Sequence, residues 1–424
     1  MADTLIPRHA TPLVADSLQA FPAVLVTGPR QVGKSTLAQL IRSDAWPATY
    51  LTLDDPLVLE ACRVDPDGFL GAQGAPLILD EVQRAPDLMR AVKLIVDRDR
   101  RPGHFLLTGS ASILTLKSIS ESLAGRVAVH ELFPFSWAEM ERRPSPARWL
   151  GELLDGDGSV TESERNVSPC SPAPYPEMIF QGGYPPAVAM RTPTLRRRWF
   201  ESYRQTYLDR DVHDLADIEH EDAFDRLIAL LAARTGSLLN QAALGREVGL
   251  PAMTLARYLR LLEETYQVLT LPAYSTNLGK RMVKAPKVFA MDTGLACALA
   301  GITTWSAAGQ FSRQGALLES WVAGELTKAL AIGDLGARLH FWRTHAGQEV
   351  DFVLELGERL VGIDVKMSQT VSLRDLSGLR AFRETFGDRV VACRVLYMGG
   401  DVRAVDRQTA VVPLDILQGR NRCA

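Results

Sequence analysis

The chain has 424 residues, 46% hydrophobic and 23% charged, with 47 Lys and Arg against 50 Asp and Glu for a net charge of −3. That composition excludes a wholly disordered chain, a collagen and a small disulfide scaffold, and the near-neutral total speaks against a uniformly basic nucleic-acid binder. No apolar run reaches the roughly 18–20 residues of a membrane span, and the start of the chain shows no apolar signal core. The five cysteines (Cys62, Cys170, Cys297, Cys393, Cys423) form no CxxC pair, so a cytoplasmic protein without structural disulfides or zinc is expected.

Over 1–140, short apolar runs alternate with helical patterns. FPAVLVTG, ATYLTLDD, APLILDE, HFLLTGS and RVAVHELF read as five strands, mostly of the buried, parallel-sheet kind, with helices over 33–43 and 86–99 between them. This alternation predicts an α/β layered domain built on a parallel sheet.

The run Gly28-Pro29-Arg30-Gln31-Val32-Gly33-Lys34-Ser35 matches G-x-x-x-x-G-K-[ST] in full, between a strand and a helix. Glycines let backbone N–H groups wrap phosphates, and the helix N-terminus adds positive potential. Residues Gly28 to Thr36 are therefore expected to bind ATP, with Lys34 reaching the β- and γ-phosphates and Ser35 ligating Mg²⁺. The second apolar run that ends in acid, Leu77-Ile78-Leu79-Asp80-Glu81, supplies the other half of such a site. Asp80 is expected on Mg²⁺ and Glu81 as general base toward the attacking water. Ser110, at the end of HFLLTGS, is expected as a sensor of the γ-phosphate. Arg126, just before the last core strand, is expected as an arginine finger reaching a neighbouring subunit, or else as a helix C-terminal cap.

Residues 141–222 are expected as a helical lid. They include 155–176, rich in Ser, Pro, Gly and acid, which reads as a flexible insertion. The arginine-rich run 191–198 reads as a solvated helix face or an extra backbone contact. Over 223–300 the charge changes: residues 226–290 hold 9 basic against 3 acidic residues. Three helical patterns, a Gly249-Leu250-Pro251 turn and two apolar runs suggest a winged helix. Thr254, Arg257 and Arg260 would face outward from its third helix, and Lys280, Arg281 and Lys284 would sit on the wing. These six residues are the expected DNA-contacting set.

Residues 301–424 begin with an amphipathic helix carrying Glu319. An alternating strand with Asp351 and a second strand with Asp364-Val365-Lys366 follow. Acids on adjacent strands with a lysine two residues on resemble the PD-(D/E)XK nuclease-like fold. That resemblance implies Mg²⁺ on Glu319, Asp351 and Asp364, and a water-positioning role for Lys366. Asp364 stands where a glutamate is more usual, and no proline precedes Asp351.

Most of the chain, apart from 155–176, resembles the AAA-type ATPases of bacteria and archaea. The resemblance rests on residues 28–35, Asp80-Glu81, Thr108-Gly109-Ser110 and Gly125-Arg126, and on the later runs Leu132-Phe133-Pro134-Phe135-Ser136 and Thr206-Tyr207-Leu208-Asp209-Arg210-Asp211. The implied fold class is α/β: a P-loop AAA-type ATPase domain, then a winged helix, then a restriction-endonuclease-like domain. The implied function is ATP hydrolysis with ATP and Mg²⁺, in a homo-oligomer for which a hexamer is the analogous form. Acting on duplex or branched DNA, such as a Holliday junction, it would be a translocase or branch-migration motor. An ATP-gated Mg²⁺-dependent nuclease and a nucleotide-switched DNA-binding regulator are the alternatives.

Overall fold

A computed structural model describes residues 5–110, 125–168, 175–208, 220–276, 285–310 and 312–419. They form two compact units: the first is 1–135 with Glu264–Tyr266, and the second is 136–263 with 267–424.

The first unit is built on five parallel strands: β1 (Ala23–Thr27), β2 (Thr49–Thr52), β3 (Leu77–Asp80), β4 (Phe105–Thr108) and β5 (Val127–Glu131), in the order β2-β3-β4-β1-β5. All five are strands expected from the apolar runs. The three central ones are wholly buried, whereas β2 and β5 at the edges are half exposed. That is why AVLVT, LILD and FLLT are continuous apolar runs rather than alternating ones. Leu25, Leu79 and Leu107 join Met89 and Val92 of the helix Leu88–Arg98 in one core. Because every strand runs the same way, Thr27, Asp80 and Thr108 end at one edge of the sheet, where open α/β sheets bind ligands.

The second unit holds two sheets. β6 (Ser237–Leu238), β7 (Val268–Leu271) and β8 (Lys287–Ala290) form an antiparallel sheet in the order β6-β8-β7. The helices Glu221–Ala233, Gln241–Val248 and Ala252–Glu264 pack with it through Phe224, Leu244, Leu259 and Val288. The second sheet contains β9 (Arg338–Arg343), β10 (Glu349–Leu356), β11 (Arg359–Lys366), β12 (Val390–Tyr397), β13 (Arg403–Ala404) and β14 (Thr409–Pro413). Its order is β13-β14-β12-β11-β10-β9; β9, β10 and β11 pair antiparallel, and β12 and β14 continue parallel. The helix Gln314–Gly333 packs with one face through Leu318 and Val322, and the helix Ser377–Phe386 with the other through Leu379 and Phe382.

The flexible-insertion expectation for 155–176 is corrected over its described part. Thr161 and Glu164 form a capping box that starts the short helix Glu162–Arg165. Glu164 and Val167 are buried. The Glu164 carboxylate pairs with the Arg394 Nε at 2.5 Å and accepts from Trp149 Nε1 at 3.0 Å. Beyond 169–174, Tyr175 is buried and its hydroxyl donates to Asp415 Oδ2 at 2.6 Å. The polar composition that suggested disorder here supplies caps and one internal ion pair. Residues 169–174, with Cys170, lie outside the described residues, as does Cys423; Cys62, Cys297 and Cys393 are buried and free. Among the described residues, no helix is long and apolar enough to cross a membrane.

Candidate active site

The loop after β1 is shaped by backbone that side chains resist. Gly28 has φ 146°, and a Cβ there would stand 2.2 Å from the Leu132 carbonyl oxygen. Gly33, at φ 93°, caps the helix Lys34–Ile41. Between them Gln31 also takes a positive φ of 61°, an arrangement that turns successive N–H groups toward one concavity. The Lys34 ammonium donates to the carbonyls of Gly28 and Pro29, at 3.0 and 2.7 Å. Arg8, which the sequence reading left out, steadies the loop. It donates to Val32 O and Phe133 O, both at 2.6 Å, and its guanidinium lies 4.7 Å from the centre of the Phe135 ring. The run from Leu132 to Phe135 thus buttresses the loop.

Asp80 is the hub of the opposite wall. It accepts from Ser35 Oγ at 2.9 Å, from Tyr50 Oη at 2.7 Å, and from Thr108 Oγ1. Burial and the bond to Asp80 push the Tyr50 hydroxyl up to about 12, so it stays a donor at neutral pH. Ser35 and Asp80 sit together as a shared magnesium site requires, the hydroxyl beside the carboxylate. Glu81 follows at φ 60°, an uncommon conformation for a non-glycine residue and one concentrated at functional sites. Its amide donates to Thr108 Oγ1 at 3.3 Å, and its carboxylate accepts from Gln83 Nε2. Gln83 Oε1 in turn accepts from the Ser110 amide at 3.2 Å.

The side chain of the fourth strand that meets Asp80 is therefore Thr108, two residues before the expected Ser110. Ser110 takes part through its backbone. Tyr50 and Gln83 are site residues that the sequence motifs do not indicate, and Thr108, part of the Thr108-Gly109-Ser110 run, is given no role of its own by them. Tyr50 and Thr108 lie at or near strand ends that the parallel register brings level with β3 (Thr52 opposite Asp80, Leu107 opposite Leu79).

Arg126 is remote from this edge. Val127 pairs with Ala23 and Glu131 with Thr27, so Arg126 stands at the opposite end of the strands, roughly 16 Å away at about 3.3 Å per residue. There it holds Asp97 through two bonds, Nε–Oδ1 at 2.6 Å and Nη2–Oδ2 at 3.1 Å.

Residues 20–141 match the family described as an AAA domain. The chain belongs to the AAA-type P-loop ATPases. Residues 173–306 and 314–417 of this ATPase match two families described as domains of unknown function, DUF8612 and DUF4143. It is 30% identical over 410 residues to the uncharacterized protein Rv2008c of Mycobacterium tuberculosis, spanning 96% of this chain and 83% of the relative. The same figures hold for the uncharacterized protein Mb2031c of Mycobacterium bovis. Among solved structures, the Walker-type ATPase PABY2304 of Pyrococcus abyssi shares 13% identity at a TM-score of 0.43, covering 70% of this chain and 96% of that one. AMPPCP-bound DnaA of Aquifex aeolicus shares 13% at a TM-score of 0.30, covering 62% and 90%. As an AAA-type ATPase the protein binds and hydrolyses ATP.

The ATPase carries a second cluster of ionisable groups, in its second unit. Antiparallel pairing of β10 with β11 sets Asp351 beside Asp364. The Asp351 amide donates to Asp364 Oδ1 at 3.1 Å, and the Val365 amide donates to Asp351 Oδ2 at 2.8 Å. Lys366 Nζ is 4.0 Å from Asp364 Oδ2. Glu319 joins from the helix Gln314–Gly333. Two members were not foreseen: Glu349 on β10, and Lys287 on β8, whose ammonium contacts Glu319 Oε1 at 2.6 Å and also reaches Glu349. Burial, reinforced by Asp351, pushes Glu319 up to about 7. Burial and Asp351 likewise push Asp364 up to about 8. Asp351 is raised by burial against the pull of Lys287 and Lys366. Burial disfavours the Lys287 charge, but Glu319, Asp351 and Glu349 outweigh it and hold the ammonium above its ordinary value.

Of the expected DNA-contacting residues, Arg257 and Arg260 are exposed on the helix Ala252–Glu264 and Thr254 is half-buried, while Leu255, Leu259 and Leu262 face inward. Lys280, Arg281 and Lys284 lie outside the described residues. The basic excess of 226–290 is smaller at the surface than the count suggests. Lys287 is buried in the acidic cluster, and Arg234 pairs with Glu247 at 2.5 Å. In the arginine-rich run, Arg196 turns inward to donate to Ala187 O at 3.3 Å, and Arg197 and Arg198 are exposed.

Proposed function

We propose that this ATPase is an oligomeric, DNA-associated machine that uses ATP hydrolysis to move on duplex or branched DNA. The nucleotide half of that reading rests on one observation: the Gly28-to-Thr36 loop, Asp80 and Glu81 converge at a single edge of a parallel sheet. Lys34 would exchange its two loop carbonyls for β- and γ-phosphate oxygens. Ser35 and Asp80 would hold Mg²⁺, which when bound offsets phosphate charge. Glu81 would take the proton of the attacking water, and Gln83 would hold the carboxylate in place through the Ser110 backbone.

The DNA half is supported by the helix Ala252–Glu264, which offers Arg257 and Arg260 to solvent opposite a buried leucine face. The surrounding order is helix, strand, two helices, then two strands, the order of a winged helix. Each phosphate contact made there would add about −0.9 to the slope of log affinity against log salt.

ATP turnover with single-stranded, duplex and four-way-junction DNA tests the whole. Duplex or junction DNA is expected to raise turnover several-fold. Lys34→Ala should abolish turnover, and Arg257→Ala with Arg260→Ala should lose the stimulation alone. Turnover indifferent to every DNA would remove the DNA role. ATP-dependent DNA affinity with negligible turnover would favour a nucleotide switch instead.

Arg126 tests the oligomer. At the far end of the sheet from its own nucleotide loop, it can serve only a neighbour's phosphate. Arg126→Ala and Lys34→Ala chains should each be inactive alone. Mixed equally, random pairing joins an intact loop to an intact arginine at about a quarter of interfaces, and about that share of activity should return. Mixtures that stay inactive would leave Arg126 as a clamp on Asp97.

A further inference from the structure

The nuclease-like resemblance implies a divalent cation on the acids of β10 and β11. The residues present do not fit one. Carboxylate oxygens of Glu319, Glu349 and Asp351 lie within 4.8 Å of one another, a spacing that could cage an ion. The cage already contains a cation of the chain's own. Lys287 Nζ touches Glu319 and Glu349 and lies 3.9 Å from Asp351 Oδ1. Its side chain is only 4% exposed.

The lysine is also fixed at its root. Lys287 is in the central strand of the antiparallel sheet, paired with Leu238 of β6 on one side and Leu271 of β7 on the other. Further cations complete the neutralisation: Arg343 Nε lies 3.5 Å from Glu349 Oε2, and Lys366 lies beside Asp364. Two carboxylate oxygens, Asp351 Oδ2 and Asp364 Oδ1, are committed to backbone amides. Mg²⁺ needs near-octahedral oxygen ligands at about 2.0–2.1 Å. Here an ammonium stands among the ligands, and part of the oxygen set is already bonded.

We propose that Lys287 is a built-in counter-ion that closes the nuclease-like site, so that the acidic cluster binds no divalent cation and the C-terminal sheet does not cleave DNA. The lysine also fastens three elements together: β8, the helix Gln314–Gly333 and β10. This inference is independent of the proposed DNA motor, since a closed site leaves the nucleotide loop untouched.

Manganese binding to the full chain without nucleotide, counted by electron paramagnetic resonance, tests it. The parent and Asp351→Asn should bind equal amounts. Lys287→Met should gain one Mn²⁺ per chain, and adding Asp351→Asn to it should remove that gain. Lys287→Gln, which keeps a donor for Glu319, should show the same gain and covers the case in which the methionine variant does not fold. Parental Mn²⁺ binding that Asp351→Asn abolishes would overturn the proposal, as would Mn²⁺-dependent DNA cutting by the parent that Asp364→Asn abolishes. Folded Lys287 variants that gain no ion would overturn it as well.

Discussion

Glu81→Gln is expected to lower steady-state ATP turnover by about 10²–10⁴-fold, the usual worth of a positioned general base, while ATP still binds. The substitution keeps the size and planarity of the side chain. The amide can still offer an oxygen to Gln83 Nε2, so the tie to the Ser110 backbone survives. What disappears is a carboxylate able to accept a proton. Asp80 cannot substitute for it, because its two oxygens already receive hydroxyls from Ser35, Tyr50 and Thr108. Lys34→Ala should behave differently and lose binding along with turnover, because the ammonium is part of the phosphate cradle. A fluorescent ATP analogue reports the binding and phosphate release reports the turnover. Glu81→Gln turning over within about threefold of the parent would show that another group takes the proton.

The parts of this site that were legible in the sequence are those whose chemistry is local. The phosphate loop is eight consecutive residues. The Asp80-Glu81 pair directly follows an apolar run, and the three central strands of the first sheet are continuous runs of buried residues. What escaped are partners brought together by register or by long loops. Tyr50 reads as an ordinary strand residue until parallel pairing sets β2 against β3 and its hydroxyl meets Asp80. Lys287 sits in an otherwise apolar strand, and that isolated charge was a signal. Its counter-charges, however, come 32, 62 and 64 residues later, at Glu319, Glu349 and Asp351. Local charge counting placed Lys287 in a basic surface, whereas folding uses it inside. The same limit applies to 155–176: composition reports how polar a segment is, and cannot report that one of its acids has a buried partner 230 residues away.

That partner pair sets the largest expected effect on stability. Glu164→Ala should destabilise the second unit by about 3–5 kcal/mol, the range for breaking a buried ion pair from one side. Both side chains are 0% exposed. With the carboxylate gone, the guanidinium would keep its carbonyl acceptors: Cys393 O at 2.9 Å, Gln408 O at 3.0 Å, Gly158 O at 3.2 Å and Ser159 O at 2.8 Å. Those neutral partners hold it in place without balancing its charge. Trp149 Nε1 and the Thr161 amide would lose their acceptor in the same step. Glu164→Gln, which can restore those two bonds but not the charge, should fall between parent and alanine. Replacing both members by apolar residues, as in Glu164→Leu with Arg394→Met, should cost less than the sum of the single changes, because neither leaves an unpaired charge behind. Urea unfolding of the parent, Glu164→Ala, Glu164→Gln, Glu164→Leu, Arg394→Met and the double variant measures each value. Single changes costing under about 1 kcal/mol, or a double variant equal to the sum of its parts, would mean that solvent reaches the pair and that this segment is not part of the core.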